Sequence, residues 1–194
     1  KETKNVGFNL IIRNGSLFDL QLADSVINLT FKENLTKIKS LLHTNGEVSF
    51  SQIKKISSLL GINIDSFKDI RGKANLKTKI DFDLNKKFKI KNLSYSIAGD
   101  VAHFEIDTEK KRTIKKYLPE YNSKIILKST NIQLFNSKSD LTIEADGLIK
   151  LKDDFDNFKI KEKYNYKKKS FDIKGTLNLT NSKVQVSKLN YNKN

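Results

Sequence analysis

The chain has no cysteine, no methionine and no tryptophan, and only one proline and two histidines in 194 residues. Without cysteine there is no disulfide and no thiolate metal site, so packing and hydrogen bonds alone must hold the fold. Without methionine the sequence reads as a processed product or a piece of a longer protein, with any anchor or targeting segment lying outside it. No apolar run approaches the roughly 18–20 residues of a membrane-spanning helix, and no signal peptide is visible. Catalytic machinery is equally scarce. His43 and His103 have no evident partner to make either a base, and no nucleophile elbow, phosphate-binding loop or zinc-protease helix motif occurs. The chain reads as a non-enzyme with no cofactor and no metal. Asp81-Phe82-Asp83-Leu84-Asn85 opens like a calcium loop, but Lys86 stands where the sharp-turn glycine belongs and Asn92 where a bidentate glutamate belongs. Asp153, Asp154 and Asp156 read as an acidic turn.

Apolar residues make up 37% of the chain, below the ~45–50% of an ordinary globular domain. Yet 12 Phe and 6 Tyr are too many aromatics for a disordered chain. That balance suits a sheet with one apolar face and a thin core. The net charge of +15 favours anionic partners such as lipid headgroups, nucleic acid or acidic glycans, but the lysines are spread along the chain rather than gathered in one block.

What the sequence does have is alternation. From Gly72, the residues Ala74, Leu76, Thr78, Ile80, Phe82 and Leu84 fall on one phase, and Lys73, Asn75, Lys77, Lys79, Asp81 and Asp83 on the other. A period of two predicts a strand with one apolar and one charged face. Looser copies surround Gly99, Gly147 and Gly175. The spacing predicts strands near 73–84, 87–97, 100–107, 123–135, 139–151, 157–167, 170–180 and 183–191, joined as a meander. Residues 6–32 read as three strands, with Asn14-Gly15 as a two-residue hairpin turn.

Residues 34–61 change period and predict two short helices. The first rests on Leu35, Ile38, Leu41 and Leu42. The second rests on Ile53, Ile56, Leu59 and Leu60, with Ser49 and Gln52 as a capping box and Gly61 as its C-terminal glycine. This pair has the rhythm of a helix-turn-helix unit whose recognition helix would run from Asp65 to Gly72, but Asp65 and Asp69 there repel phosphate. No specific nucleic-acid partner is expected. Thr108–Tyr121 interrupts the strands with a basic cluster.

Three segments carry a family resemblance. Gly72-Lys-Ala-Asn-Leu-Lys-Thr-Lys-Ile-Asp-Phe, Ile143-Glu-Ala-Asp-Gly-Leu-Ile-Lys-Leu and Phe171-Asp-Ile-Lys-Gly-Thr-Leu-Asn-Leu-Thr resemble segments of the bacterial AsmA-like family of the YhdP and TamB type, and Val184-Gln-Val-Ser-Lys-Leu-Asn-Tyr resembles the end of a unit in its large members. The resemblance covers residues 70–191. It implies a periplasmic segment of a protein anchored in the inner membrane, whose long β-groove carries phospholipid acyl chains toward the outer membrane. The expected fold is mainly β, an extended curved antiparallel sheet over residues 1–194 with the helical insert of 34–61 packed on it. The partners expected are phospholipid or another acyl-chain lipid and adjacent segments of the same longer chain. Leu76, Ile80, Phe82, Phe88, Ile90, Phe104 and Ile106 are the candidate groove residues; Lys110, Lys111, Arg112, Lys115 and Lys116 are the candidate contacts to headgroups. A closed β-sandwich acting as a structural module, or a basic nucleic-acid-binding domain, are the alternatives.

Overall fold

Alternation along the chain becomes pairing between strands. In the computed structural model, which describes residues 6–17, 20–60, 64–65, 67–108, 123–151, 154–180, 184–186 and 191–193, nine strands join in chain order into one antiparallel sheet. They are β1 (Val6–Leu17), β2 (Leu20–Lys32), β3 (Leu35–Ser49), β4 (Phe67–Asn85), β5 (Ile90–Thr108), β6 (Lys124–Asn136), β7 (Asp140–Lys150), β8 (Phe155–Asn165) and β9 (Ser170–Asn178). One helix, α1 (Phe50–Leu60), interrupts the meander between β3 and β4, and two short strands, β10 (Val184–Val186) and β11 (Tyr191–Lys193), pair with each other alone. The sheet is open: β1 and β9 are its two edges, and they do not pair. A mainly β, open antiparallel sheet is therefore what the alternation encodes, and the closed sandwich does not describe it.

Strand length distinguishes this sheet. β4 and β5 each run 19 residues, against a usual ~5–6. Such strands must twist, and bulges supply the local adjustment. Register shifts fall between Leu22 and Val26 of β2, at three points along β4–β5, and between Lys128 and Asn131 of β6. Asp24, Asn92 and Ser129 take positive φ in the bulged stretches of β2, β5 and β6, at 45°, 54° and 47°. The turns use side chains that bond their own backbone. Asn85 Oδ1 accepts from the amides of Lys87 and Lys89 at 3.0 and 2.9 Å, and Asn165 Oδ1 from that of Lys168 at 2.8 Å.

Several expectations are corrected. Residues 35–49 form β3 rather than a helix, so the insert contains one helix among the described residues. Leu35, Ile38, Leu41 and Leu42 fit a 3.6-residue stripe by themselves, but β3 pairs with β4 through fifteen residues in unbroken register from Leu35–Asn85 to Ser49–Arg71. That ladder also uses β-branched Thr36, Ile38, Thr44 and Val48, which fit a pleated surface better than a helix. Asn14-Gly15 is not a turn: it pairs inside β1–β2 with Ala23 and Leu22, and the two strands close at Leu17–Leu20. Residues 6–32 hence hold two strands, and 87–107 a single bulged strand, not two. Residues 67–72, where a recognition helix would lie, are strand, so the helix-turn-helix arrangement is absent.

The second helix forms as its cap predicts. Ser49 Oγ accepts from the Gln52 amide at 3.5 Å, and Gln52 Oε1 accepts from the Ser49 amide at 2.7 Å, the reciprocal pair of a capping box. Gly61 lies outside the described residues. Ile53 and Ile56 turn toward the sheet and pack against a buried cluster of Leu20, Val48, Ala74 and Val101, joined by Leu76, Phe104 and Ile132. These residues come from β2 to β6. β2 and β5 are three strand spacings apart, about 14 Å across a flat sheet, so Leu20 and Val101 share a cluster only because the sheet curls beneath the helix.

Candidate binding face

Antiparallel partners sit on the same side of a sheet, so the register assigns every strand position to a face. Starting from Leu76, Ile80 and Phe82 of β4, the ladder carries one face to Thr44 and Ile38 of β3, to Leu29, Ile27 and Leu22 of β2, and to Phe8 and Leu10 of β1. In the other direction it runs through Tyr95, Ile97, Phe104 and Ile106 of β5, Leu134 and Ile132 of β6, Ile143 of β7 and Ile160 of β8, ending at Phe171, Ile173 and Leu177 of β9. One apolar face crosses all nine strands. Glu162 of β8 interrupts it, half-buried between Ile143 and Ile173.

The opposite face is polar and knitted by cross-strand ion pairs. Arg71 donates two hydrogen bonds to Glu105 Oε2 at 2.9 and 2.6 Å from directly opposite on the ladder. Lys37 and Lys39 flank Asp81 at 3.8 and 3.7 Å, and Lys161 meets Glu144 at 2.5 Å. The Arg71 bond holds the Glu105 carboxyl below its ordinary range, and His103, 3.4 Å away, adds to this. The pairs are exposed and contribute little each; what they fix is which face is wet.

Coverage of the apolar face is uneven. Its middle is shielded by α1 and by curling, so Ala74 is 3% and Val101 1% exposed. Its margins are open: Phe8 and Leu10 are 61% and 52% exposed, Phe171 and Ile173 64% and 61%. Between these extremes lies a hollow of about 380 Å³, bounded by Leu17 and Leu20 at the β1–β2 end, Leu42 of β3, Ile56 of the helix, Leu76, Ile80 and Phe82 of β4, and Leu93 and Ile97 of β5. Of the twelve described residues that line it, ten are hydrocarbon or aromatic and the other two are Thr44 and Thr78. Among the described residues no charged side chain lines it. A second hollow of about 400 Å³ lies toward the β2–β3 and β4–β5 turns, where Phe31, Ile38, Leu84 and Phe88 share the lining with Lys32, Glu33 and Lys86.

Of the groove residues expected from sequence, Leu76, Ile80, Phe82 and Ile90 line the first hollow. Phe104 packs on the buried cluster beside it. Ile106 pairs with Ile70 at the far end of the same face. Phe88 stands in the β4–β5 turn with a φ of 54°, 83% exposed, at the second hollow. Lys110, Lys111, Arg112, Lys115 and Lys116 lie outside the described residues. The sequence reading missed Leu17, Leu20, Leu42, Ile56, Leu93 and Ile97. Leu42 was hidden by the helical spacing around it, and Leu93 by the bulge that shifts the phase of β5 between Lys91 and Ser94, opposite Asp83 and Asp81 of β4.

A polar enclave lies on the apolar face near the β6–β7 and β8–β9 turns. Tyr166 donates to Asn136 Oδ1 at 2.6 Å, beside buried Tyr95, and burial pushes the Tyr95 phenol up to about 12. Tyr164 meets Tyr166 edge to face and lies tilted against Phe171, with centroids at 5.4 and 4.5 Å. Elsewhere, His43 Nε2 is shut from solvent without a hydrogen-bond partner, and no cluster able to hold a metal ion occurs among the described residues. No helix among them is long and apolar enough to cross a membrane. No protein-family model, curated protein or solved structure matches the chain.

Proposed function

We propose that the apolar face is a groove that binds acyl chains of phospholipid or a related lipid, and that the protein acts by binding or conducting them rather than by catalysis. One observation carries this reading: a hollow of about 380 Å³, free of charged lining among the described residues, set in an apolar face that stays open toward both sheet edges. An exposed apolar surface of this extent needs an occupant. A methylene chain suits it because the lining offers dispersion contacts and two threonine hydroxyls, with no arrangement of donors to recognise a polar ligand. Each buried CH₂ contributes about 0.8 kcal/mol, so an extended chain gains affinity with length and gains equally at each position along a uniform lining. This permits sliding. The sequence resemblance to AsmA-like envelope proteins points the same way, toward a curved groove segment in the periplasm.

Native mass spectrometry of gently purified protein tests the reading. The expected spectrum carries adducts with phospholipid masses, and Ile80→Asp removes them while far-UV circular dichroism is unchanged. A photo-crosslinking residue at Ile80 or Phe104 should capture lipid in cells. Clean apo masses for the wild type, with no adduct at either position, would overturn the proposal.

A further inference from the structure

β9 closes the nine-stranded sheet on one side, and among the described residues nothing pairs with its outer edge. Edge strands are normally blunted by proline, bulges, brevity or charged side chains, and the two charges of β9 are of opposite sign, so they can pair across a seam. β9 has nine residues, no proline and an unbroken register with β8. Asp172 and Lys174, on the polar face, have side chains 66% and 79% exposed and meet each other only at 4.0 Å. Phe171 and Ile173 alternate with them on the apolar face.

We propose that β9 is a homodimerisation strand: two copies of the chain pair β9 against β9, antiparallel, about a two-fold axis at Ile173. A two-fold axis normal to the sheet returns every residue to its own face, so the apolar face continues unbroken from one copy into the next. With the axis at Ile173, that residue faces its own copy, Phe171 faces Gly175 and Ser170 faces Thr176. On the polar face Asp172 stands opposite Lys174 twice, once on each side of the axis. Moving the axis by one residue places Asp172 against Asp172 or Lys174 against Lys174, which is destabilising. Moving it to Gly175 removes both opposite-charge pairs. The Ile173 axis also lays the Phe171 ring over a glycine, where no side chain competes for the space.

The other edge lacks this self-complementarity. Arg13 is the only charged residue of β1, so no self-pairing of β1 sets opposite charges against each other. β1 and β9, first and ninth in an antiparallel meander, also run in the same direction. Joining one copy's β9 to another's β1 would make a parallel seam and an open-ended array, whereas β9 against β9 is antiparallel and closes as a dimer.

This inference is independent of the acyl-chain reading and is tested without lipid. Sedimentation equilibrium of the full chain should show a monomer–dimer equilibrium. Asp172→Lys should weaken the dimer by about tenfold, and adding Lys174→Asp should restore it, because the swapped charges again face each other only in the Ile173 register. Ile173→Cys should form an intermolecular disulfide under oxidising conditions. The chain contains no other cysteine, and the expected Cα separation of about 4.5–5.5 Å lies within disulfide range. Circular dichroism checks that each variant is folded. A chain that stays monomeric, or a dimer indifferent to the charge change or not rescued by the swap, would overturn the proposal.

Discussion

Gly72 and Gly99 are the two points where the long β4–β5 ladder has no room for a single added carbon, and Gly72 tests this at an ordinary strand φ. A Cβ built there would lie 2.0 Å from Phe104 Cδ1, 2.1 Å from the His103 carbonyl oxygen and 2.8 Å from Phe104 Cα. The ring could rotate away. The carbonyl and the Cα cannot, because they belong to β5, paired to β4 on both sides of the contact at Arg71–Glu105 and Lys73–His103. Relief therefore requires prising two 19-residue strands apart. Overpacking of this kind costs about 1–3 kcal/mol. Two of the three clashes are with backbone, so we expect Gly72→Ala to lie in the upper part of that range, about 2–3 kcal/mol, or a fall of about 4–12 °C in Tm for a chain of this length. Urea unfolding followed by circular dichroism measures it. Gly7→Ala is the control: its nearest neighbour would be the Leu29 carbonyl oxygen at 3.5 Å, an ordinary contact on an edge strand. That change should be within about 0.5 kcal/mol of neutral. If Gly72→Ala and Gly7→Ala melt together, the close approach of Phe104 over Gly72 does not hold in solution.

Removing both halves of the capping box with Ser49→Ala and Gln52→Ala should destabilise α1 by about 0.5–2 kcal/mol and lower helical ellipticity at 222 nm, with the strand signal retained. Tyr95, raised to about 12 by burial, should be a late-ionising tyrosine in an ultraviolet titration. Its neutral form is the one the fold favours, so its contribution is complete below the ordinary tyrosine pKa and is lost as pH rises toward 12; Tyr95→Phe should flatten that alkaline loss. The Glu105 carboxyl, depressed first by its hydrogen bond from Arg71, works in the opposite sense. Its contribution is present above the ordinary carboxylate range and disappears as pH falls through the lowered value. Carboxyl NMR should show Glu105 titrating later on acidification than in the Arg71→Gln variant, and equal midpoints would contradict the bond.

Much of this architecture is local information. The alternation from Ala74 to Leu84 sets strand type and face together, because a period of two leaves no other way to segregate lysine from leucine. Ser49 and Gln52 fix where α1 begins, since both bonds span only three residues. The apolar identity of Leu76, Ile80 and Phe82 was legible for the same reason. Other features depended on partners distant in sequence. Residues 35–49 carry a helical spacing, and only the fifteen-residue ladder with β4, from Ser49–Arg71 to Leu35–Asn85, makes them a strand. Asn14-Gly15 has the chemistry of a hairpin turn, yet the register with β2 keeps it inside the strand and closes the pair at Leu17–Leu20. The hollow is wholly tertiary: Leu20, Leu42, Ile56 and Ile97 converge because bulges curl the sheet and bring α1 across it. Alternation states which side of a strand is apolar. It does not state how far the sheet bends, which strands become edges, or which stretch of the apolar side stays open, because these depend on register shifts and on packing between residues that no local pattern links.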